Sequence, residues 1–520
     1  VVLAIIWILG LMGVFEHPLN IMTSLLPVIM FIVGMSDVVH MVSRYIEELR
    51  KGQPKLHSLK IMIKEVGMAT LLTSVTTAIG FFMLLFVNIP PLKYFGLFVG
   101  IGVFMAYLIT ILFLPALLYR VGTPVVAGKE KLQQRWKNLM SKLFVFTLRR
   151  RIGIISTYAL ILIVSILGVL QVKSNYYLLE DLADDEPIKE DMRLLEEEFS
   201  GIRPIEISMK LIDSSANFFD FDIITSIDKV DGFLQDSLKA GFVLSPAVLF
   251  KTMNKALHSG NASAFAIPED PKEFNKTRKY LVNHQRDLPL DAVIIPEKKS
   301  GRITGKTRDV GSNMAKKDRV RLMNFAKEAG LLNHVQFTIT GSSVVLDKNN
   351  DTFINDMVSG LSIAFLCIAI LMWMLFQSFS ATWISLIPNV IPILFMAGII
   401  GWTSFEINST MSIVFTIAFG IAVDDTIHFL SKFKIELQKG RSKIYAIKRS
   451  MMSTGKAIIV TTIILLSGFG SLIFSDFQST FYIGFFVSII LIVAAVTDLL
   501  LLPALLLLFY PTSRHRKRAG

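Results

Sequence analysis

Residues 420–433 read GIAVDDTIHFLSKF. They place two adjacent carboxylates, Asp424 and Asp425, and an imidazole, His428, in an apolar run that opens near Asn408. An ionisable group at that depth in a membrane helix costs roughly 3 kcal/mol or more, so it is expected on a proton, ion or substrate path. Sliding the sequence by 388 residues lays VGMSDVVHMVSRYIEELRKG (33–52) on IAVDDTIHFLSKFKIELQKG (421–440) without a gap. Asp37 then meets Asp425, His40 meets His428 and Gly52 meets Gly440. The register continues through Gly67 on Gly455, Thr73 on Thr461, Gly80 on Gly468 and Tyr94 on Tyr482, and closes with LPAL at 114–117 on LPAL at 502–505. Backwards it carries Ser24 onto Ser412 and Gly13 onto Gly401. This is the pattern of a duplicated membrane unit.

Composition agrees with a membrane setting. Of 520 residues 52% are hydrophobic and 18% charged, and the mean hydropathy is +0.57, too apolar for a soluble globular protein. Apolar runs near the roughly 20 residues that cross a hydrocarbon core lie at 20–43, 68–87, 92–119, 152–171, 355–377, 381–404, 408–431, 457–475 and 480–510, with a shorter one at 1–15. The single cysteine, Cys367, lies in an apolar run, which excludes a disulfide framework. A net charge of +12 does not point to nucleic acid, because of where it sits. Lys and Arg crowd into 44–64, 120–151, 432–456 and the tail RHRKR at 514–518. The short opposite loops EHPLN, NIPPLKY, FEIN and SDFQS carry only Lys93. By the positive-inside rule the basic loops and the C-terminus face the cytoplasm.

The organisation expected is a membrane unit over 1–119, a basic cytoplasmic linker over 120–151, a span at 152–172, an extracytoplasmic domain over 173–351, further helices over 352–510 and a basic tail over 511–520. Residues 44–65 read as an amphipathic surface helix or a charged loop. WKNLMSKLFVFTLRRR reads as a surface helix whose arginines meet lipid headgroups. Between 173 and 351 the composition turns soluble and strand and helix patterns alternate, as in an α+β domain built from βαβ units. Its Gly- and Lys-rich stretch 296–312 lacks phosphate-loop spacing and reads as a hairpin or mobile loop.

In each half the carboxylate and the imidazole are three residues apart, so they share a helix face. If the halves pack about a pseudo-two-fold axis, Asp37, Asp425, His40 and His428 converge, and several carboxylates there cannot all stay ionised. Such a cluster can load and release protons. Asp424 faces about 100° away from Asp425 and matches Ser36, so it reads as the asymmetric member. The hydroxyls of Thr73, Thr77, Thr461 and Thr462 serve helix packing or a secondary proton path, and Asp498, opposite Thr110, is a second intramembrane acid. No further His or Cys joins the cluster, so a metal site is not expected, nor is any cofactor.

These residues, GIAVDDTIHFL with its repeat GMSDVVHMV, the GF pair after the threonine-rich helix and LPALL closing each half, resemble the resistance-nodulation-division (RND) superfamily. The nearest resemblance is to its MMPL-type and hydrophobe/amphiphile exporter branch, related to Patched and the sterol-sensing proteins. The resemblance implies duplicated six-helix units with large α+β extracytoplasmic porter domains. On that plan the chain begins in the third helix, the proton-relay acids fall on Asp37, Asp424 and Asp425, and 174–350 falls on the second porter domain. It implies a proton-driven exporter of hydrophobic or lipid-like molecules in a prokaryotic cytoplasmic membrane, with protons, lipids and a dimeric or trimeric assembly as partners. The domain is short for a docking insertion, which argues against an outer-membrane channel partner. A protein-export accessory of the SecDF kind and a non-transporting sensor of the sterol-sensing kind remain alternatives; an enzyme is not expected, since no nucleophile–base pair is evident.

Overall fold

The computed structural model describes residues 1–123, 130–172, 175–179, 182, 186–199, 201–213, 215–284, 290–295, 297, 299–403, 405–407 and 409–511. Asn408, part of the basic linker at 124–129 and the RHRKR tail lie outside them. Among the described residues nine helices are long and apolar enough to cross a membrane, and the chain divides into two compact units, Val1–Lys173 with Thr352–Gly520, and Ser174–Asp351.

The first unit opens with α1 (Val2–Val14), a short α2 (Ile21–Ser24) capped by Asn20, α3 (Leu26–Arg50), α4 (Lys55–Phe82), α5 (Pro90–Arg120) and α6 (Glu130–Val169). No separate surface helix occupies 44–65. The charged end of α3 stays helical because Arg44 pairs with Glu47 and Glu48, and Lys51 with the same two acids, at helical spacing. The break comes at Gly52, whose φ of +79° suits glycine, followed by Pro54. In α6 the backbone leaves helical geometry at Arg150 (φ −109°, ψ 19°), where the basic segment hands over to the apolar one.

The second unit holds α7 (Pro187–Glu198), β1 (Arg203–Leu211), α8 (Phe221–Asp236), β2 (Phe242–Leu244), α9 (Pro246–Leu257), α10 (Pro271–Asn283), β3 (Ile294–Ile295), β4 (Ser300–Thr307), α11 (Gly311–Glu328) and β5 (Val335–Thr340). Strand order is β2-β4-β1-β5, with β3 on β4, and every neighbouring pair is antiparallel. The expected βαβ units are therefore split: β4 lies between β1 and β2, and β1 between β4 and β5. Ile207, Met209 and Leu211 alternate inward on β1 and meet Ile224, Ile227, Phe250 and Val335 in the core. Of the two expectations for 296–312, a hairpin or a mobile loop, the hairpin holds, since β4 pairs antiparallel with β3 just before it. Within it β4 bonds to β1, β2 and β3, its Ile303 facing Ile207, because Ile303 completes the apolar face that a mobile loop would leave open.

The remaining helices are α12 (Ser342–Phe376), α13 (Phe379–Trp402), α14 (Ser409–Gln438), α15 (Lys443–Ser471) and α16 (Gln478–Phe509). The shift of 388 carries the first residue of α4 onto that of α15 and Pro90 of α5 onto Gln478 of α16. Gly52 (φ +79°) corresponds to Gly440 (φ +77°). Met30, Phe81 and Phe95 of the early helices pack in one core with Met411, Ile417 and Phe469 of the later ones.

Candidate functional site

Polar residues survive inside α14 because this helix is enclosed on almost all sides: 89% of its most apolar window is buried. A carboxylate there faces protein rather than lipid, where partners can offset its lost hydration. The corresponding part of α3 lies against it, and the two bring their repeat-equivalent residues together. His40 and His428 stack with ring centroids 3.9 Å apart and planes 6° from parallel. Ser36 and Asp424, also equivalent positions, are joined directly: Ser36 Oγ donates to Asp424 Oδ2 at 2.6 Å.

The ion pairs cross the expected ones. His40 Nε2 lies 3.8 Å from Asp425 Oδ1 on the other half. His428 Nε2 lies 3.3 Å from Asp424 Oδ1, one turn back on its own helix. Asp424 is thus a central member of the cluster, not an outlying one, because its 100° offset from Asp425 aims it at α3. Asp37 makes no ion pair among the described residues; Ser74 of α4 donates to its Oδ2 at 3.0 Å. Asp37, His40, Asp424 and His428 are all buried.

Two imidazolium cations about 4 Å apart repel by about 4 kcal/mol at an effective dielectric of 20. Each ring has a carboxylate beside it, Asp425 at His40 and Asp424 at His428, that can receive or return a proton. His40 Nε2, His428 Nε2 and Asp424 Oδ1 are buried without a hydrogen-bond partner. Their ligand atoms lie within 4.8 Å of one another, close enough to share a metal ion. In-plane lone pairs on near-parallel rings do not converge on one point, so the arrangement suits proton exchange better than tetrahedral coordination.

The threonines divide. Thr461 Oγ1 reaches Asp425 Oδ1 at 3.5 Å while also bonding the carbonyls of Ala457 and Ile458. Thr73 and Thr462 bond carbonyls of their own helices, and Thr77 donates to the Gly420 carbonyl at 2.8 Å across α4 and α14. Asp498 is fully buried on α16 and lies 2.5 Å from Thr426 Oγ1, beside Asp425 in sequence.

Several members escaped sequence reading. Ser36 was visible as the partner of Asp424 in the repeat register, but nothing in the sequence says that equivalent positions touch. Glu65 and Lys432 read as loop charges. In the structure Glu65 Oε2 pairs with Arg44 Nη2 at 2.8 Å and with Lys432 Nζ at 3.2 Å. These side chains, with His40, His428 and Glu47, line a cavity of about 70 Å³, large enough to hold water.

The sequence pattern of the MMPL family matches residues 1–164 and 267–519. A protein of Methanocaldococcus jannaschii described as a membrane protein is 30% identical over 118 residues. That match takes in 23% of this chain and 30% of the relative, so the chain spans about a third of the curated relative's length. With the family pattern covering the helices on both sides of the α+β unit, the chain belongs to the MMPL family, within the RND superfamily, as a polytopic membrane protein.

Proposed function

We propose that this chain is part of a proton-driven transporter that exports hydrophobic or amphiphilic molecules, lipids foremost, from the cytoplasmic membrane of a prokaryote. It is a carrier rather than an enzyme. The observation that carries this reading is the buried cluster in which His40 and His428 stack between Asp424 and Asp425, where two equivalent helices meet. A proton placed on either ring alters the balance of charge on both halves at once. Moving one charge through the membrane potential supplies about 2.3 kcal/mol per 100 mV, enough to bias two packings of α3 against α14. In this reading the halves are two copies of one unit, residues 173–351 form an extracytoplasmic porter-like domain, and Asp37 with its Ser74 partner extends the relay.

The test is substrate-dependent proton flux in proteoliposomes under an imposed pH gradient. Asp424→Asn and Asp425→Asn are expected to abolish flux while the protein remains folded by circular dichroism, with Asp37→Asn reducing it. Wild-type flux in Asp424→Asn and Asp425→Asn would make the cluster a structural pairing and remove the reading.

A further inference from the structure

We propose that the outward face of α6 before its break at Arg150 binds the headgroup of an anionic phospholipid. Lys142, Val145, Phe146 and Arg149 fall at helical spacing on one stripe, and with Asn138, Ser141 and Arg150 they line an open concavity of about 570 Å³. The opposite face of the same segment is fixed: Met140, Phe144 and Thr147 are buried, and Phe144 packs in one core with Phe429 and Met451. The stripe therefore faces away from the bundle.

Its composition fits neither water nor hydrocarbon alone. Phe146 is 50% exposed and Val145 40% exposed, which a solvated face would not favour. Lys142, Arg149 and Arg150 have no carboxylate within 4.0 Å among the described residues, which hydrocarbon would not allow. An apolar segment long enough to span follows at once, so the stripe lies at the level where headgroups begin. Three unpaired cations beside exposed apolar side chains match an amphiphile with a negative head and an acyl chain. Each such cation is attracted to an acidic leaflet. Arg adds the forked donors that hold a phosphate through two bonds. The site is independent of the proton cluster and of the transport reading.

The test places a reporter in the stripe. In full-length chain carrying Phe146→Trp, with its five tryptophans changed to Phe, fluorescence is quenched by brominated phosphatidylglycerol or brominated phosphatidylcholine at equal mole fraction in vesicles. The expected result is quenching about threefold or more stronger with the anionic lipid. The preference should be lost in a Lys142→Gln, Arg149→Gln, Arg150→Gln variant that phosphatidylcholine still quenches. It should persist in Arg149→Lys, Arg150→Lys, and should weaken at roughly 0.5 M salt without any further mutation. Equal quenching by both lipids at low salt would overturn the proposal, leaving a non-selective interfacial contact. Quenching by neither would also overturn it, because another protein surface would then cover the stripe.

Discussion

Thr426 has one hydroxyl proton and two oxygens to satisfy, Asp498 Oδ1 at 2.5 Å and Asn389 Oδ1 at 3.0 Å. The Asn389 orientation is fixed, since its Nδ2 donates to the Ser385 carbonyl at 2.8 Å. The count closes when Thr426 donates to Asn389 and a protonated Asp498 donates to Thr426. Asp498→Asn keeps a donor and nearly the same shape, so transport assays should find its flux within about twofold of wild type. Asp498→Leu should destabilise the bundle by roughly 1–3 kcal/mol, because the buried Thr426 oxygen loses its donor while the Thr426 to Asn389 bond remains. In the α+β unit Asp231 offers a pH test. Burial pushes its carboxyl up to about 7, against the donated bond of Ser245, and its Oδ1 has no partner. Below about pH 4 both folded and unfolded chains are protonated there. Between about 4 and 7 only the unfolded chain ionises, so stability falls with rising pH by on the order of a few kcal/mol and then levels off. Hydrogen exchange in α8 should follow that course in wild type and lose it in Asp231→Asn. At this scale the sequence disclosed which acids and imidazoles lie in apolar runs, since intramembrane charge is rare. It did not disclose their pairing. A helical wheel aligns Asp37 with His40 on one helix, whereas the observed partners of His40 and of Asp424's second oxygen come from the neighbouring one.

Elements that correspond in the repeat do not have equal surroundings, and two glycines show the difference. A Cβ on Gly80 of α4 would sit 2.8 Å from the Gly420 Cα of α14, backbone against backbone. A Cβ on the equivalent Gly468 of α15 would meet the Ile32 side chain at 2.5 Å, and Ile32 is the counterpart of Gly420. The contact is one and the same in both halves, but only the first brings two main chains together. Gly80→Ala is expected to cost roughly 1–3 kcal/mol and lower the melting temperature. Gly468→Ala should cost less because it meets a side chain, Ile32 at Cγ1, which can repack, and not another main chain. Equal losses in thermal melts of the two purified variants would refute this asymmetry. Helix number and order were legible because apolar runs of span length are long, strong signals. Helix ends were not: α3 runs on through charged residues that intrahelical pairs hold in register, α4 begins at Lys55 among charges that include Glu65, bound to Arg44 and Lys432 of other helices, and hydropathy sees only the loss of apolar character. In the α+β unit β1 and β5 were readable from alternation, while β4 was hidden by Gly301 and Gly305 in a lysine-rich stretch.

At the scale of the whole membrane unit, Glu65 and Glu47 are each shared between the two halves at one end of the cluster. Arg44 and Lys432 are repeat-equivalent cations, and both pair with Glu65 Oε2. The counterpart of Glu65 is Ser453, which donates instead to Glu47 at 3.4 Å. The link through Glu65 therefore has no equivalent at position 453, and it lines the same cavity as His40 and His428. Without Glu65, Arg44 keeps Glu48 at 2.8 Å and Lys432 keeps Glu436 at 3.6 Å, so each half stays internally paired, the link from Arg44 through Glu65 to Lys432 is lost, and Ser453 and Arg449 still reach Glu47. Removing one member of a half-buried network leaves two like charges facing each other, which favours separation of α3 from α14 at this end. Glu65→Gln is expected to widen access from bulk solvent to the cavity that the histidines line. A thiol reagent should then label a Ser431→Cys probe in the cavity wall about tenfold faster than in the Glu65 background, with Cys367 removed in both. Glu65→Asp should restore part of the protection through its charge. An unchanged labelling rate would mean that apolar packing of the helices, and not this shared carboxylate, closes the cavity.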